Sequence, residues 1–246
     1  MISLYTFRNY SLIRLFNDND WLYSIFDFML EDYADNWQKT LGWQPSEAQL
    51  QLLEQLYQLV LEGNQTQNLT RITAVSDFWE KHLWDSLRGI LPLWQEEDLR
   101  VIDIGTGAGF PGLPIAIAQP TWQVTLLDST QKKMRFVESA IAALELVNAT
   151  PLTGRAEEMW DEYYTYDLVL VRAVGDLNLC ANYALPFLQP GGKAILYRGN
   201  WTVAEEKSLA ETSDRFNAEI IQVEKFETPL TQGLRHCISL QRRGKA

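Results

Sequence analysis

Apolar residues recur along this chain with two different spacings, and the change between them falls near residue 98. Upstream, Leu50, Leu53, Leu56, Tyr57 and Val60 repeat every three or four positions, which predicts one buried stripe on a helix. Ser46-Glu47-Ala48-Gln49 has the spacing of a capping box, and Gly63-Asn64 is expected to end that helix. A polar connector, Asn64 to Arg71, comes after it. The next start signal is Asp77 with Glu80 three residues on, and the helix through Arg88 carries Trp79, Leu83, Leu87 and Ile90 on one side. Nearer the beginning, Trp21, Ile25, Phe28 and Met29 lie at helical spacing and predict a short amphipathic helix.

Downstream, short β-rich runs alternate with helical ones. Strands are expected at Leu99 to Ile104, Gln123 to Leu127, Thr150 to Thr153, Asp167 to Arg172, Lys193 to Tyr197, Glu219 to Val223 and Arg235 to Leu240. Helices are expected at Pro111 to Ala118, Gln131 to Leu144, Ala156 to Trp160, Leu177 to Leu188 and Ala204 to Phe216. The pattern predicts an α/β fold, a doubly wound, seven-stranded, mostly parallel sheet. Three regions result: an extension over 1–41, a helical layer over 42–95 packed on the sheet domain, and the sheet domain itself over 96–246.

Composition narrows the class. Hydrophobic residues make up 46% of the 246, with nine Trp, ten Tyr and ten Phe, so the chain can bury a large core. Cys180 and Cys237 form no C-x-x-C motif, which suits free thiols in the cytoplasm. No apolar run approaches the roughly 18 residues of a membrane span. The opening residues resemble no signal peptide, and Met29 is an alternative start that would make the preceding segment an extension. Net charge is −11, which by itself opposes a nucleic-acid partner. However, nine acidic and only three basic residues fall within 1–62, and the rest holds basic clusters at Lys132-Lys133-Met134-Arg135 and Arg242-Arg243-Gly244-Lys245.

The candidate chemistry lies at the first strand of the sheet domain. Val101-Ile102-Asp103-Ile104 runs into Gly105, Gly107, Gly109 and Gly112 and then into a helix. A strand, glycine turn and helix start of this kind receives a dinucleotide or S-adenosylmethionine. Gly107 to Gly112 spells G-x-G-x-x-G, yet the strand ends at Ile104, so the turn begins at Gly105 with Asp103 two residues ahead. A carboxylate there repels a pyrophosphate and attracts a sulfonium and an ammonium, which favours S-adenosylmethionine. Asp128 closes the next strand near the roughly 20-residue offset at which an acid takes ribose hydroxyls. That acid fits either cofactor, and Asp128 or Ser129 could instead cap the following helix.

The segments Asn68-Leu69-Thr70, W-E-K-H-L-W-D-S-L at Trp79 to Leu87, V-I-D-I-G-T-G-A-G-F-P-G-L-P, L-L-D-S at Leu126 to Ser129, G-R-A-E-E at Gly154 to Glu158, V-R-A at Val171 to Ala173 and L-Q-P-G-G-K at Leu188 to Lys193 together resemble the bacterial 16S rRNA guanine-N7 methyltransferase G family. The resemblance runs in order over about 45–242. It implies a class I, Rossmann-like enzyme that methylates N7 of one guanine in the decoding-region loop of 16S rRNA in the small ribosomal subunit. Carried over, it implies that Asp103, Gly105, Thr106, Gly107, Gly109, Phe110, Asp128, Ser129, Ala156, Glu157 and Arg172 bind S-adenosyl-L-methionine. Arg172 is also the catalytic candidate, at the carboxyl end of the fourth strand, with a salt-bridged strand end as the lesser alternative. His82 and Arg198 are the substrate-binding candidates; Arg198-Gly199 stands where the family more often has Lys-Gly. His82 could also pair with Asp85 on its own helix. The expected protein is a monomer without membrane or metal partners. The alternative is a class I methyltransferase for a small molecule or a protein, which the net acidity favours.

Overall fold

The structure is a computed structural model that describes residues 3–7, 10–14, 30–172 and 175–244. The expected helix over Trp21 to Met29 lies outside the described residues, as does Ala173 of the V-R-A segment. In the first forty residues β1 (Ser3–Phe7) and β2 (Tyr10–Arg14) form an antiparallel pair, and α1 spans Ala34–Leu41.

Helix α2 (Glu47–Thr66) starts at the expected capping box: the Ser46 hydroxyl accepts from the Gln49 amide at 3.3 Å, and the Gln49 side chain accepts from the Ser46 amide at 3.0 Å. It does not stop at Gly63-Asn64. A Cβ on Gly63 would lie 2.5 Å from Leu69 and 3.0 Å from Phe136, so this glycine permits close packing rather than termination. Asn64 instead shapes the turn after the helix, its Oδ1 accepting from the Leu69 and Thr70 amides.

The second predicted helix is three joined pieces. Helix α3 (Val75–Phe78) passes into a π-helical stretch, Trp79–Trp84, and then into α4 (Asp85–Arg88). No box forms at Asp77; the helix begins earlier, and the buried Glu80 carboxylate reaches across the molecule to the Leu230 amide (2.5 Å) and the Thr231 amide (2.9 Å).

The main sheet contains β3 (Arg100–Ile104), β4 (Gln123–Asp128), β5 (Ala149–Thr153), β6 (Tyr166–Arg172), β7 (Leu188–Arg198), β8 (Ala218–Glu227) and β9 (Leu234–Arg242), in the order β5-β4-β3-β6-β7-β9-β8. Pairs from β5 through β7 are parallel and β9 is antiparallel to both neighbours. Connecting helices are α5 (Gly112–Ala118), α6 (Gln131–Ala143), α7 (Leu177–Ala184) and α8 (Val203–Arg215). Two predictions differ. Ala156 to Trp160 is a pair of single 3-10 turns, Ala156–Glu158 and Trp160–Glu162, and the helix after Leu177 yields to β7 by Leu188.

Alternate strand residues face opposite ways. Val101, Leu168 and Leu170 join α1, α2, α5, α6 and the 75–90 segment in one core, whereas Ile102, Ile104, Val169 and Val171 join α7 in the other. The helical layer is therefore the cover of one sheet face. Gln49 donates to the Ile117 and Ala118 carbonyls at the end of α5, and Tyr197 on β7 donates to the Ser86 carbonyl at 2.9 Å. Because the chain leaves β3 toward β4 and β5 and returns on the other side to β6, the switch point at which open α/β sheets hold their ligands in a crevice falls beyond the carboxyl ends of β3 and β6.

Candidate functional site

Asp103 belongs to the same strand face as Val101 and is fully buried. Its Oδ2 accepts from the Thr106 hydroxyl at 2.6 Å and the Gly112 amide at 2.8 Å, so one oxygen ties the glycine loop at both ends. A Cβ at Gly112 would lie 3.0 Å from that oxygen and 2.8 Å from Leu126, which explains glycine there. The other oxygen, Oδ1, is buried with no hydrogen-bond partner. Burial pushes the carboxyl up to about 6, against the Thr106 and Gly112 hydrogen bonds and the nearby charge of Arg172.

The loop is joined to the next strand as well. Gly105 and Thr106 amides both donate to the Leu127 carbonyl, at 2.7 and 3.0 Å. Gly107 has a left-handed φ of 61°, its amide donates to Asp128 Oδ2 at 3.0 Å, and a Cβ on it would meet only Gly105 O at 3.9 Å. The backbone thus lies open on that side. Asp128 Oδ1 accepts from the Thr130 amide at 2.8 Å. Each Asp128 oxygen accepts one amide and keeps a second lone pair. Thr130, not Asp128 or Ser129, is the N-cap residue of α6, and Ser129 is exposed. The Gly154 amide donates to the Asp128 carbonyl at 3.2 Å, which brings the 3-10 turn with buried Ala156 and exposed Glu157 to the same edge. Glu157 pairs with Arg155 at 3.7 Å.

The other wall comes from the helical layer. Phe110 and His82, both buried, stack with ring centroids 4.3 Å apart, and Phe78 meets both edge-on. His82 Nε2 bonds the Thr70 hydroxyl at 2.9 Å, while Nδ1 is buried without a partner. Burial, then Arg172 and Lys81, push its pKa down to about 3, so the ring is neutral. Asp85 turns to arginines rather than to His82: Arg172 Nη1 lies 3.2 Å from its Oδ2, and Arg235 Nε 3.7 Å from its Oδ1. Arg172 also donates to the Lys81 carbonyl in the π-helical stretch at 3.0 Å and stands 6.0 Å from the centre of Phe110. Arg198, at the end of β7, donates to the Gly175 carbonyl at 2.9 Å and pairs with Glu205 at 3.3 Å.

The glycine loop, Asp103, Asp128 and Ala156 therefore gather on one side of the crevice. Arg172 joins them through Phe110. His82 stands behind that ring, and Arg198 is tied toward α7 and α8. Sequence reasoning missed Arg235, which lies on another strand far along the chain, and it missed Thr70 as the partner of His82, although Thr70 belongs to one of the segments that carry the resemblance. Among the described residues no group of His, Cys, Asp and Glu could hold a metal, and no helix is long and apolar enough to cross a membrane.

A sheet of this order, with a glycine loop tied to an acid in its central strand and a second acid ending the next, defines a class I methyltransferase of Rossmann-like fold. The fold is shared with solved structures of a precorrin-6y C5,15-methyltransferase from Geobacter metallireducens (TM-score 0.51, 16% identity, 71% of this chain and 91% of that one). It is also shared with a 16S rRNA (adenine(1408)-N(1))-methyltransferase from Catenulisporales acidiphilia (TM-score 0.51, 16% identity, 63% and 89%). The family model for rRNA small subunit methyltransferase G matches residues 49–236, and the chain belongs to that family. It is 53% identical over 211 residues to the ribosomal RNA small subunit methyltransferase G of Gloeobacter violaceus, covering 85% of this chain and 84% of the relative. The corresponding protein of Microcystis aeruginosa is 50% identical over 224 residues, covering 87% and 100%. The protein is an enzyme, a methyltransferase.

Proposed function

We propose that this protein transfers a methyl group from S-adenosylmethionine to N7 of a guanine in the decoding-region loop of 16S rRNA, acting as a cytoplasmic monomer on the small ribosomal subunit. The observation that carries the proposal is family membership across 49–236, at about half identity to relatives named for small-subunit rRNA methylation.

The residues of the crevice fit such a cofactor. Asp103 Oδ1 is a buried anionic acceptor with no protein partner, which suits a neighbouring cation. The open side of Gly107 gives room for the methionine part, and the remaining lone pairs of Asp128 suit two ribose hydroxyls. Ala156 is small enough to lie flat against adenine, with Glu157 beside it and Ser129 exposed at the rim. When bound, S-adenosylmethionine supplies an electrophilic methyl group on a positively charged sulfur.

Guanine N7 carries a free lone pair, so its methylation forms the N7–carbon bond as the sulfur–carbon bond breaks, with no proton removed. The protein's task is alignment rather than base catalysis. The state of the crevice supports this reading: His82 is neutral and enclosed, Asp103 is fully buried with Oδ2 tied to the loop, and each Asp128 oxygen already accepts an amide. Arg172, held by Asp85 and the Lys81 carbonyl, is proposed to orient the base or its phosphate; Arg198 is proposed to hold RNA farther out. His82 acts behind Phe110, by fixing that ring.

The test is methylation of unmodified small-subunit particles with labelled S-adenosylmethionine, followed by nuclease digestion and mass spectrometry. One 7-methylguanosine is the expected product. Label on adenine, cytosine or protein would sink the proposal.

A further inference from the structure

Basic residues here separate into two kinds. Arg172 pairs with Asp85 at 3.2 Å, Arg198 with Glu205 at 3.3 Å, and Arg243 with Asp214 and Glu219 at 3.2 and 3.4 Å. Arg242 is likewise occupied, donating to the Leu185 and Leu188 carbonyls. By contrast Arg71, Lys132, Lys133 and Arg135 are in no ion pair among the described residues; Arg71, Lys132 and Arg135 are exposed and Lys133 half-buried.

Lys132 and Arg135 lie beside the turn that carries Arg71, and Lys133 sits on the same first turn of α6. Lys132 Nζ donates to the Thr66 carbonyl at 3.3 Å, joining the first turn of α6 to the end of α2. Below that contact, Leu69 and Phe136 crowd the same missing side chain at Gly63, so the turn carrying Arg71 packs directly beside the turn carrying Arg135. Lys132 and Arg135 are three residues apart on α6 and share a face. Both flanks of the patch are anchored to the glycine loop. On one, α6 begins just after Asp128, which holds the Gly107 amide. On the other, Thr70 bonds His82, which stacks on Phe110.

From this geometry we propose that Arg71, Lys132, Lys133 and Arg135 form a docking surface for RNA backbone phosphates flanking the target base. It rests on the reading of the protein as an rRNA methyltransferase and adds where the strand lies. In a protein of net charge −11, four unpaired cations beside the cofactor crevice concentrate positive potential at the one place where a polyanion must approach. Long-range repulsion by the acidic remainder then excludes other approaches. The arginines deeper in the crevice, already paired, are left to orient the base.

The experiment combines Arg71→Ala, Lys132→Ala and Arg135→Ala and measures steady-state methylation of unmodified small-subunit particles over a range of salt. The expected result is a KM for the particle raised about tenfold or more, with kcat and calorimetric affinity for S-adenosylmethionine within about twofold of the parent. The slope of log KM against log salt should fall by about two, near 0.7 per charge removed for single strands. Exchanging Lys132→Arg and Arg135→Lys together should keep KM within about twofold. Lys207→Ala, an exposed cation on α8, should leave KM unchanged. An unchanged KM and salt slope in the triple variant, with the parent fully active, would overturn the docking surface alone. An equal effect from Lys207→Ala would do so too, since bulk charge would then be the cause. A parent protein that methylates no rRNA overturns the functional reading, and the docking surface with it.

Discussion

The two oxygens of Asp103 differ: Oδ2 fastens the loop, while Oδ1 has no protein partner, which fits the proposed role in holding the cofactor. Asp103→Ala should therefore remove measurable cofactor binding in calorimetry and also lower stability, whereas Asp103→Asn should keep the loop but weaken binding by about tenfold or more. With its carboxyl at about 6, the free protein takes up a proton below that pH which a cationic cofactor must expel. Affinity should then fall roughly tenfold per unit below pH 6. His82 works on stability in the other direction. The unfolded chain protonates it near 6.5, and the folded chain resists down to about 3, so stability is lost as pH falls through that window. Asp103, whose folded value lies above the ordinary 3.8, gains stability as pH falls from about 6 toward 3.8. Comparing urea unfolding at pH 7.5 and 5, the parent should lose about 2 kcal/mol more than His82→Phe, while the Asp103 contribution cancels between them. At this scale the acid and the glycines were legible because charge beside a glycine turn has few uses. The second arginine on Asp85 was not, since nothing local links residues on different elements that meet only after folding.

At the scale of elements, spacing identified the strands of the sheet domain and its helices other than Ala156 to Trp160, because burial on one face imposes a period that composition cannot hide. It failed where tertiary contacts override local chemistry. Gly63 read as a stop but is a packing site, and Asp77 to Glu80 read as a cap although Glu80 serves the turn between β8 and β9. Burial alone would raise the Glu80 carboxyl, but the Thr231 hydroxyl and amide, the Leu230 amide and Thr228 together hold it below its usual value. Glu80→Ala removes the buried acceptor that those donors share, and should destabilise the protein by about 1–3 kcal/mol and speed amide exchange at Leu230 and Thr231. The π-helical stretch has no sequence signature in the spacing, yet it presents the Lys81 carbonyl to Arg172. A Cβ at Gly89 would lie 2.4 Å from the Tyr197 ring. Gly89→Ala should therefore cost about 1–3 kcal/mol in urea unfolding by forcing the helical layer off β7.

For the molecule as a whole, residues 42–95 and the sheet share one core, in which Trp79, Leu83 and Leu87 pack with Leu113, Leu168 and Ile195. The division at residue 95 that spacing suggested is a change of pattern, and we expect it to be no boundary of stability. Tryptophan fluorescence and far-ultraviolet circular dichroism should report one coincident unfolding transition, and separate transitions would contradict that expectation. The net acidity looked like an argument against RNA because a sum carries no positions; docking on the four unpaired cations, as proposed, would reconcile the two. The Phe110–His82 stack has a bearing on chimaeras and on inheritance. One ring comes from the cofactor loop and the other from the helical layer, and they meet face to face at 4.3 Å. A crossover between residues 95 and 99 would bring together two rings selected in different proteins, so recombination in this family should succeed where both parents carry this pair of rings and fail where one of them does not.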